Sequence, residues 1–175
     1  RKEIKDLLCY LKTIDNAQDD LAVKRIINVP KRGIGATTIA KVQDYADENG
    51  MSFYAALRQA EEISTLSKAT ATKIRPFVTF IQMLRSKLPY ISVEQLMDEI
   101  IEDTGYVAEL DAEGTDEARA RIENIDELIS KIVAYEESVE QPTLSGFLEE
   151  VALIADIDNL EEDSDYVVLM TLHSA

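Results

Sequence analysis

The sequence predicts a mostly α-helical fold with a helix-hairpin-helix-like element and one β-strand near the C-terminal end. Through most of the 175 residues, apolar side chains recur every three or four positions, the spacing of one face of an α-helix. Start signals (Ser, Thr or Asp) and stop signals (Gly or Asn) separate these segments. Residues 166–172, Tyr-Val-Val-Leu-Met-Thr-Leu, are the one segment that the sequence predicts as a β-strand.

Local signals define the elements in the first half of the chain. Residues 2–14 place five aliphatic side chains on one helical face. Asp19 or Asp20 is positioned to cap a helix over 20–28, and Pro30 ends it because the residue before a proline is pushed out of the α region. The helices predicted next are one from the turn after Gly35 to Asn49-Gly50, one over 52–60, and one over 67–88 that Pro76 either kinks or opens.

In the second half of the chain, similar start and stop signals define helices up to about residue 154. Ser92 and Gln95 fit a capping box, and Gly105 ends that helix. Thr115 begins the longest predicted helix, to about Ser138, and Pro142-Thr143 begins another through about Ile154. An acidic loop at 156–165 leads to the strand, which has no partner within the chain. Because a strand must pair to satisfy its backbone groups, we expect its partners in a larger parent protein.

Charge is distributed unevenly along the chain, whose formal net charge is -16. Residues 1–45 hold nine Lys/Arg and six Asp/Glu, or +3, and residues 46–175 carry -19. An acidic chain argues against nucleic acid as a partner in general, so the basic residues near Lys24–Arg32 need their own explanation. One cysteine excludes an internal disulfide and suits a reducing compartment such as the cytoplasm.

The strongest local signal is the sequence Pro-Lys-Arg-Gly-Ile-Gly at residues 30–35, which lies between two predicted helices. Gly33 and Gly35 permit a tight turn that directs amides toward one point, and the following helix N-terminus binds anions such as a DNA phosphate. Ile34 would anchor the turn in the core. Lys31 and Arg32 would neutralise phosphates, and Thr37 and Thr38 could cap the helix or donate to phosphate oxygen. The alternative is a purely structural turn with solvated basic residues.

Catalytic and metal sites are not indicated. His173 is the only histidine and Cys9 is distant from it, which disfavours a metal site. The acidic residues at 161–165 lack the glycine and ligand spacing of a calcium loop. No Gly-x-x-x-x-Gly-Lys-Ser/Thr sequence is present to cradle a nucleoside triphosphate. We therefore expect an accessory domain, part of a larger protein, with no catalytic site and no cofactor of its own.

Several stretches together resemble a known family. They are, in order, Arg1–Leu11, Val29-Pro-Lys-Arg-Gly-Ile-Gly35, Arg121-Ile-Glu-Asn-Ile-Asp-Glu-Leu128, Ala152–Asp158 and Val168-Leu-Met-Thr-Leu-His-Ser-Ala175. This ordered set resembles the UvrD/Rep/PcrA family of superfamily 1 DNA helicases, its PcrA branch most closely.

The resemblance implies a division of the chain. Residues 1–14 would be a flanking helix of the 2A motor subdomain, residues 15–164 the helical 2B subdomain, and residues 165–175 the strand and truncated start of helicase motif V. Thr171 and His173 match that motif, which in the family links single-strand contacts to the nucleotide site.

The resemblance also implies a function. The parent would use ATP and Mg²⁺ to move 3′ to 5′ on DNA during repair or replication, and the 2B subdomain would contact duplex backbone and regulate unwinding by reorientation. Lys31, Arg32, Gly33, Ile34, Gly35, Thr37 and Thr38 carry the implied duplex contact, which would be weak and independent of sequence. Expected protein partners are the motor subdomains and other repair or transcription proteins. The alternative is a protein-interaction or autoregulatory module that does not bind DNA directly.

Overall fold

The computed structural model describes the backbone of residues 1–174 and the side chains of residues 1–160. Over this range the chain forms nine α-helices, a 3₁₀ turn at Ala60–Glu62 and no β-strand, which confirms a mostly helical fold. The helices are α1 Lys2–Asp15, α2 Asp20–Ile26, α3 Ala36–Glu48, α4 Phe53–Arg58, α5 Lys68–Lys87, α6 Val93–Thr104, α7 Tyr106–Glu113, α8 Asp116–Ser138 and α9 Leu144–Ser174.

Side-chain caps begin six of these helices where the sequence places Ser, Thr or Asp. Each cap oxygen accepts a backbone N–H of the first turn, which would otherwise lack a partner. The cap residues are Asp19, Ser52, Ser67, Ser92, Thr115 and Thr143. The predicted capping box is complete, because Gln95 also accepts the Ser92 amide at 2.9 Å.

The structure adds one internal helix to the sequence-based prediction and decides the place of Pro76. Gly105, in the left-handed region at φ 67°, ends α6 as predicted but also precedes a helix that the sequence did not indicate, α7. That helix has a single buried side chain, Leu110, so it lacks the apolar stripe from which helices are recognised. Pro76 lies inside α5 and is not in its first turn.

The C-terminal part of the chain also differs. Helix α9 covers residues 156–165, so the predicted acidic loop is wrong, and it continues through residues 166–172, which were predicted as a strand that pairs outside this chain. A helix satisfies its own backbone groups, whereas a lone strand needs a neighbour. Pairing of this segment with strands outside the chain stays a prediction. None of the helices in the described part has the length and apolar character required to cross a membrane.

Helix α1 lies at the centre of the packing. It contacts α2, α5, α6, α8 and α9, and its inward face is fully buried. That face consists of Leu7, Tyr10, Leu11 and Ile14. Tyr10 also packs edge-on against Phe80 of α5, with ring centroids 6.2 Å apart. In this structure α1 therefore shares one core with the helices after it, and assignment of residues 1–14 to another subdomain stays a prediction.

Two buried carboxylates of α1 reach partners on other helices. Asp6, 2% exposed, accepts hydrogen bonds from Arg25 Nε of α2 at 3.0 Å and from the Tyr106 hydroxyl of α7 at 2.8 Å. Glu3, 3% exposed, accepts from Asn124 of α8 at 2.8 Å. Burial is the largest single influence on Glu3 and opposes its ionisation, but the hydrogen bond from Asn124, a backbone hydrogen bond and the positive charges of Arg121 and the N-terminus together lower the pKa of Glu3. Both carboxylates thus join helices that are distant in sequence.

Asp6→Ala should destabilise the chain by about 2 kcal/mol, because it leaves the Arg25 guanidinium and the Tyr106 hydroxyl without their buried partner. Arg25 is partly exposed, which keeps the cost below that of a fully buried pair. Urea unfolding measures the change. Asp116→Ala is the matched control, because its ion pair with Arg119 is almost fully exposed and should contribute within about 0.5 kcal/mol. Equal destabilisation in both variants would contradict a special role for Asp6.

Tyr106 gives the structure an alkaline sensitivity. Burial, and then the hydrogen bond to the Asp6 carboxylate, raise the pKa of Tyr106 well above its ordinary value near 10. The neutral phenol therefore stabilises the fold fully below about pH 10, and this contribution is lost as the pH rises beyond that value. Tyr106→Phe should be about 1 kcal/mol less stable at pH 7, with the difference from wild type narrowing above pH 10 in urea titrations. A constant difference between pH 7 and pH 11 would contradict this assignment.

Candidate nucleic-acid interface

The hairpin, residues 29–35, joins the end of α2 to the start of α3 and is held from both sides. The side chain of Asn28 binds the Ile34 backbone twice. Its Nδ2 donates to the Ile34 carbonyl, and its Oδ1 accepts a hydrogen bond from the Ile34 backbone N–H at 3.1 Å. The Ile34 side chain is 1% exposed, so it anchors the turn in the core as predicted. The Tyr10 hydroxyl of α1 donates to the Val29 carbonyl. The hairpin backbone is therefore fixed by the core beneath it.

Arg32 is the second fixed point of the hairpin. Its guanidinium donates to the carbonyls of Ile26 and Ile27, at 2.8 and 2.9 Å, where α2 ends. It also donates to the Tyr10 hydroxyl at 2.7 Å and lies over the Phe77 ring of α5, 4.8 Å from its centroid. A cation at a helix C-terminus satisfies carbonyls that have no intrahelical partner and opposes the helix dipole. Arg32 therefore binds within the protein.

The N-terminus of α3 lies directly after the hairpin and is open. Gly35 is its N-cap residue, and no side chain accepts a hydrogen bond from the first-turn amides as a cap. A methyl group added at Gly35 would meet nothing within 4 Å. Thr37 is exposed and Thr38 half-buried in this first turn. The free amides, the helix dipole and the two hydroxyls form the arrangement that binds a phosphate oxygen.

Two lysines lie beside the hairpin. Lys31 is exposed on it. Lys73, on α5, passes next to Gly33: a methyl group built on Gly33 would lie 3.6 Å from Lys73 Nζ. Gly33 has φ 74°, a left-handed conformation that side chains disfavour, which explains the glycine. Sequence reasoning missed both Lys73 and Asn28. The position of Asn28 before a tight turn is a usable signal, but nothing local marks Lys73.

The structure thus separates the predicted residues into groups. The solvent-accessible ones are Lys31 on the hairpin and Gly35, Thr37 and Thr38 at the start of α3, and we call these four residues, with Gly33 and Lys73, the hairpin surface. Arg32 and the Ile34 backbone are instead hydrogen-bonded inside the protein. Thr171 and His173 lie outside the residues whose side chains are described.

Within residues 1–160, no group of three or more His, Cys, Asp or Glu side chains is placed to hold a metal ion. The sequence has no Gly-x-x-x-x-Gly-Lys-Ser/Thr phosphate loop. The use of ATP and Mg²⁺ by a parent protein stays a prediction.

Over the described residues the chain is an all-helical domain in which a tight turn joins two helices and leaves the N-terminus of the second without a side-chain cap. Residues 1–175 match the family model described as the UvrD-like helicase C-terminal domain, and the chain belongs to that family. It is 45% identical over 181 residues to the ATP-dependent DNA helicase PcrA of Bacillus subtilis and 44% identical over 177 residues to that of Staphylococcus aureus. Each match covers 100% of this chain and 24% of the relative, so the chain spans about a quarter of the length of these helicases.

Lys31 and Arg32 are adjacent but should respond differently to removal. Arg32→Ala should cost about 2–4 kcal/mol of unfolding free energy, since it removes charge-assisted hydrogen bonds at the end of α2 and the contact with Phe77. Lys31→Ala, at an exposed position, should change it by less than about 0.5 kcal/mol. Urea denaturation followed by circular dichroism measures both. An Arg32→Ala variant as stable as Lys31→Ala would contradict the structural role of Arg32.

Proposed function

We propose that this chain contacts the sugar-phosphate backbone of duplex DNA through the hairpin surface. The observation that carries the proposal is the uncapped N-terminus of α3, which follows a turn that bears the exposed Lys31 and lies beside Lys73 at Gly33. Amide donors and cations recognise phosphates without reading bases, so the binding is independent of sequence. Membership of a helicase family supports DNA as the ligand.

In this proposal the predicted site residues have different roles. Gly35, Thr37, Thr38 and Lys31 contact the phosphate. Gly33 allows the left-handed backbone conformation of the turn and leaves room for the neighbouring Lys73 side chain. Arg32 and Ile34 keep the loop in place from below, so they act on binding through the position of the backbone.

We further propose that the chain is the 2B subdomain, residues 15–164, with flanking 2A segments at 1–14 and 165–175. The parent would be an ATP-dependent 3′–5′ DNA helicase working in the cytoplasm, where its DNA and ATP are found. The Bacillus and Staphylococcus relatives are named ATP-dependent DNA helicases, which supports this. Thr171 and His173 would belong to its motif V. The 2B subdomain would then bias where the motor meets duplex DNA, and this chain alone should not hydrolyse ATP.

Gly35→Asp is the sharpest test, because it should separate binding from folding. Asp is a better N-cap than Gly and favours the positive end of a helix, so the variant should be as stable as wild type or more stable by up to about 1 kcal/mol. The new carboxylate would occupy the phosphate position and repel DNA. Binding of a short fluorescein-labelled duplex, measured by anisotropy at low salt, should weaken about tenfold or more, which is equivalent to removing one charge-assisted hydrogen bond.

Ser130→Asp is the control for charge, because Ser130 is exposed on α8 and the variant adds the same single negative charge. It should bind DNA nearly as wild type does. No binding by wild type at low salt would refute the proposal, as would equal effects of the two substitutions. Either result would favour the alternative, a protein-interaction module built on the acidic surface of residues 46–175, which carry a formal charge of -19.

A further inference from the structure

A second basic feature adjoins the hairpin. A cleft of ≈ 170 Å³ lies between α1, the hairpin, α7 and α8, and Lys2, Lys31 and Arg121 line it. Its volume is well below the 300–1,000 Å³ typical of small-molecule sites but several times that of one water molecule. A cleft of this size suits one small polar group.

The cations of this cleft form none of the close ion pairs found among the described side chains, although the charge of Arg121 helps to lower the pKa of Glu3. They come from three separate parts of the fold: the first turn of α1, the hairpin and the first half of α8. The core brings them together, because the buried Asp6 and Glu3 of α1 are bound by Tyr106 of α7 and Asn124 of α8. Three cations that converge in this way attract an anion.

Two carboxylates on the α7 side of the cleft limit the charge of the anion that the cleft can bind. Glu109 and Glu113 project from α7 one turn apart and also line the cleft, so its formal charge is only +1. Such a site suits one singly charged group better than a multiply charged nucleotide. A phosphodiester carries one negative charge, whereas the phosphates of ATP carry several.

We propose that the cleft binds one phosphodiester of the same duplex that contacts the hairpin surface. This inference rests on the proposed function and extends it. Lys31 belongs to both features, so a backbone lying on the N-terminus of α3 continues towards Lys2 and Arg121. The duplex interface thus includes side chains of α1 and α8 that no helix-hairpin-helix element contains.

The test uses the double variant Lys2→Gln with Arg121→Gln in the full chain. Both side chains are exposed, so the fold should be retained, as an unchanged urea midpoint would verify. The slope of log K against log salt should become shallower by about 0.9 for each phosphate that the variant no longer neutralises. The single variant Lys131→Gln, an exposed lysine farther along α8, is the control and should leave the slope unchanged. Glu113→Gln should tighten binding, because it removes a negative charge from the cleft wall.

The outcomes distinguish the two proposals. Duplex binding that is abolished in Gly35→Asp but keeps its salt slope in the double variant would overturn the cleft assignment alone. No duplex binding by wild type would overturn both. If the double variant weakened binding of ATP while leaving duplex binding unchanged, the cleft would be a nucleotide site and the assignment would be wrong.

Discussion

The position of the hairpin depends on the guanidinium of Arg32. It is bonded to the end of α2 through the Ile26 and Ile27 carbonyls, to α1 through Tyr10, and to α5 through the face of Phe77. Each of these interactions is charge-assisted or desolvated, so each contributes more than an exposed one would. A single side chain thereby fixes the angle at which the chain leaves α2, and with it the direction in which the α3 N-terminus faces.

This constraint explains which parts of the structure the sequence could predict. Helix starts depend on neighbours three or four residues away, so Ser52, Ser92 with Gln95, and Thr115 could be identified from the sequence alone, and the cap of α2 could be narrowed to Asp19 or Asp20. Ile34 could be assigned to the core because burial of a large apolar side chain is favourable. Arg32 could not be interpreted in the same way, since its partners Tyr10 and Phe77 are remote in sequence. Read alone, an arginine beside Lys31 resembles a phosphate contact.

Residues 166–172 and helix α7 are two regions where the structure differs from the pattern of the sequence. Residues 166–172 are rich in strand-forming side chains, but strand propensity is realised only when a neighbouring strand supplies hydrogen bonds. Within this chain the same residues continue α9, whose backbone needs no partner. Helix α7 escapes prediction for the opposite reason: it is stabilised by tertiary contacts, including the bond from Tyr106 to Asp6, and by little apolar periodicity of its own. In both regions the environment overrides the local pattern.

A net charge of -16 and a DNA-binding surface are compatible because the two act over different distances. Charges more than about 8–10 Å apart are largely screened at physiological salt, so a phosphate at the hairpin responds chiefly to Lys31, Lys73 and the α3 amides. In the proposed complex, the acidic remainder of the chain raises the cost of approach without removing the local attraction. A contact of this kind is weak and readily broken by salt. In the proposed helicase such weakness is an advantage, because a subdomain that bound the duplex tightly would slow the motor.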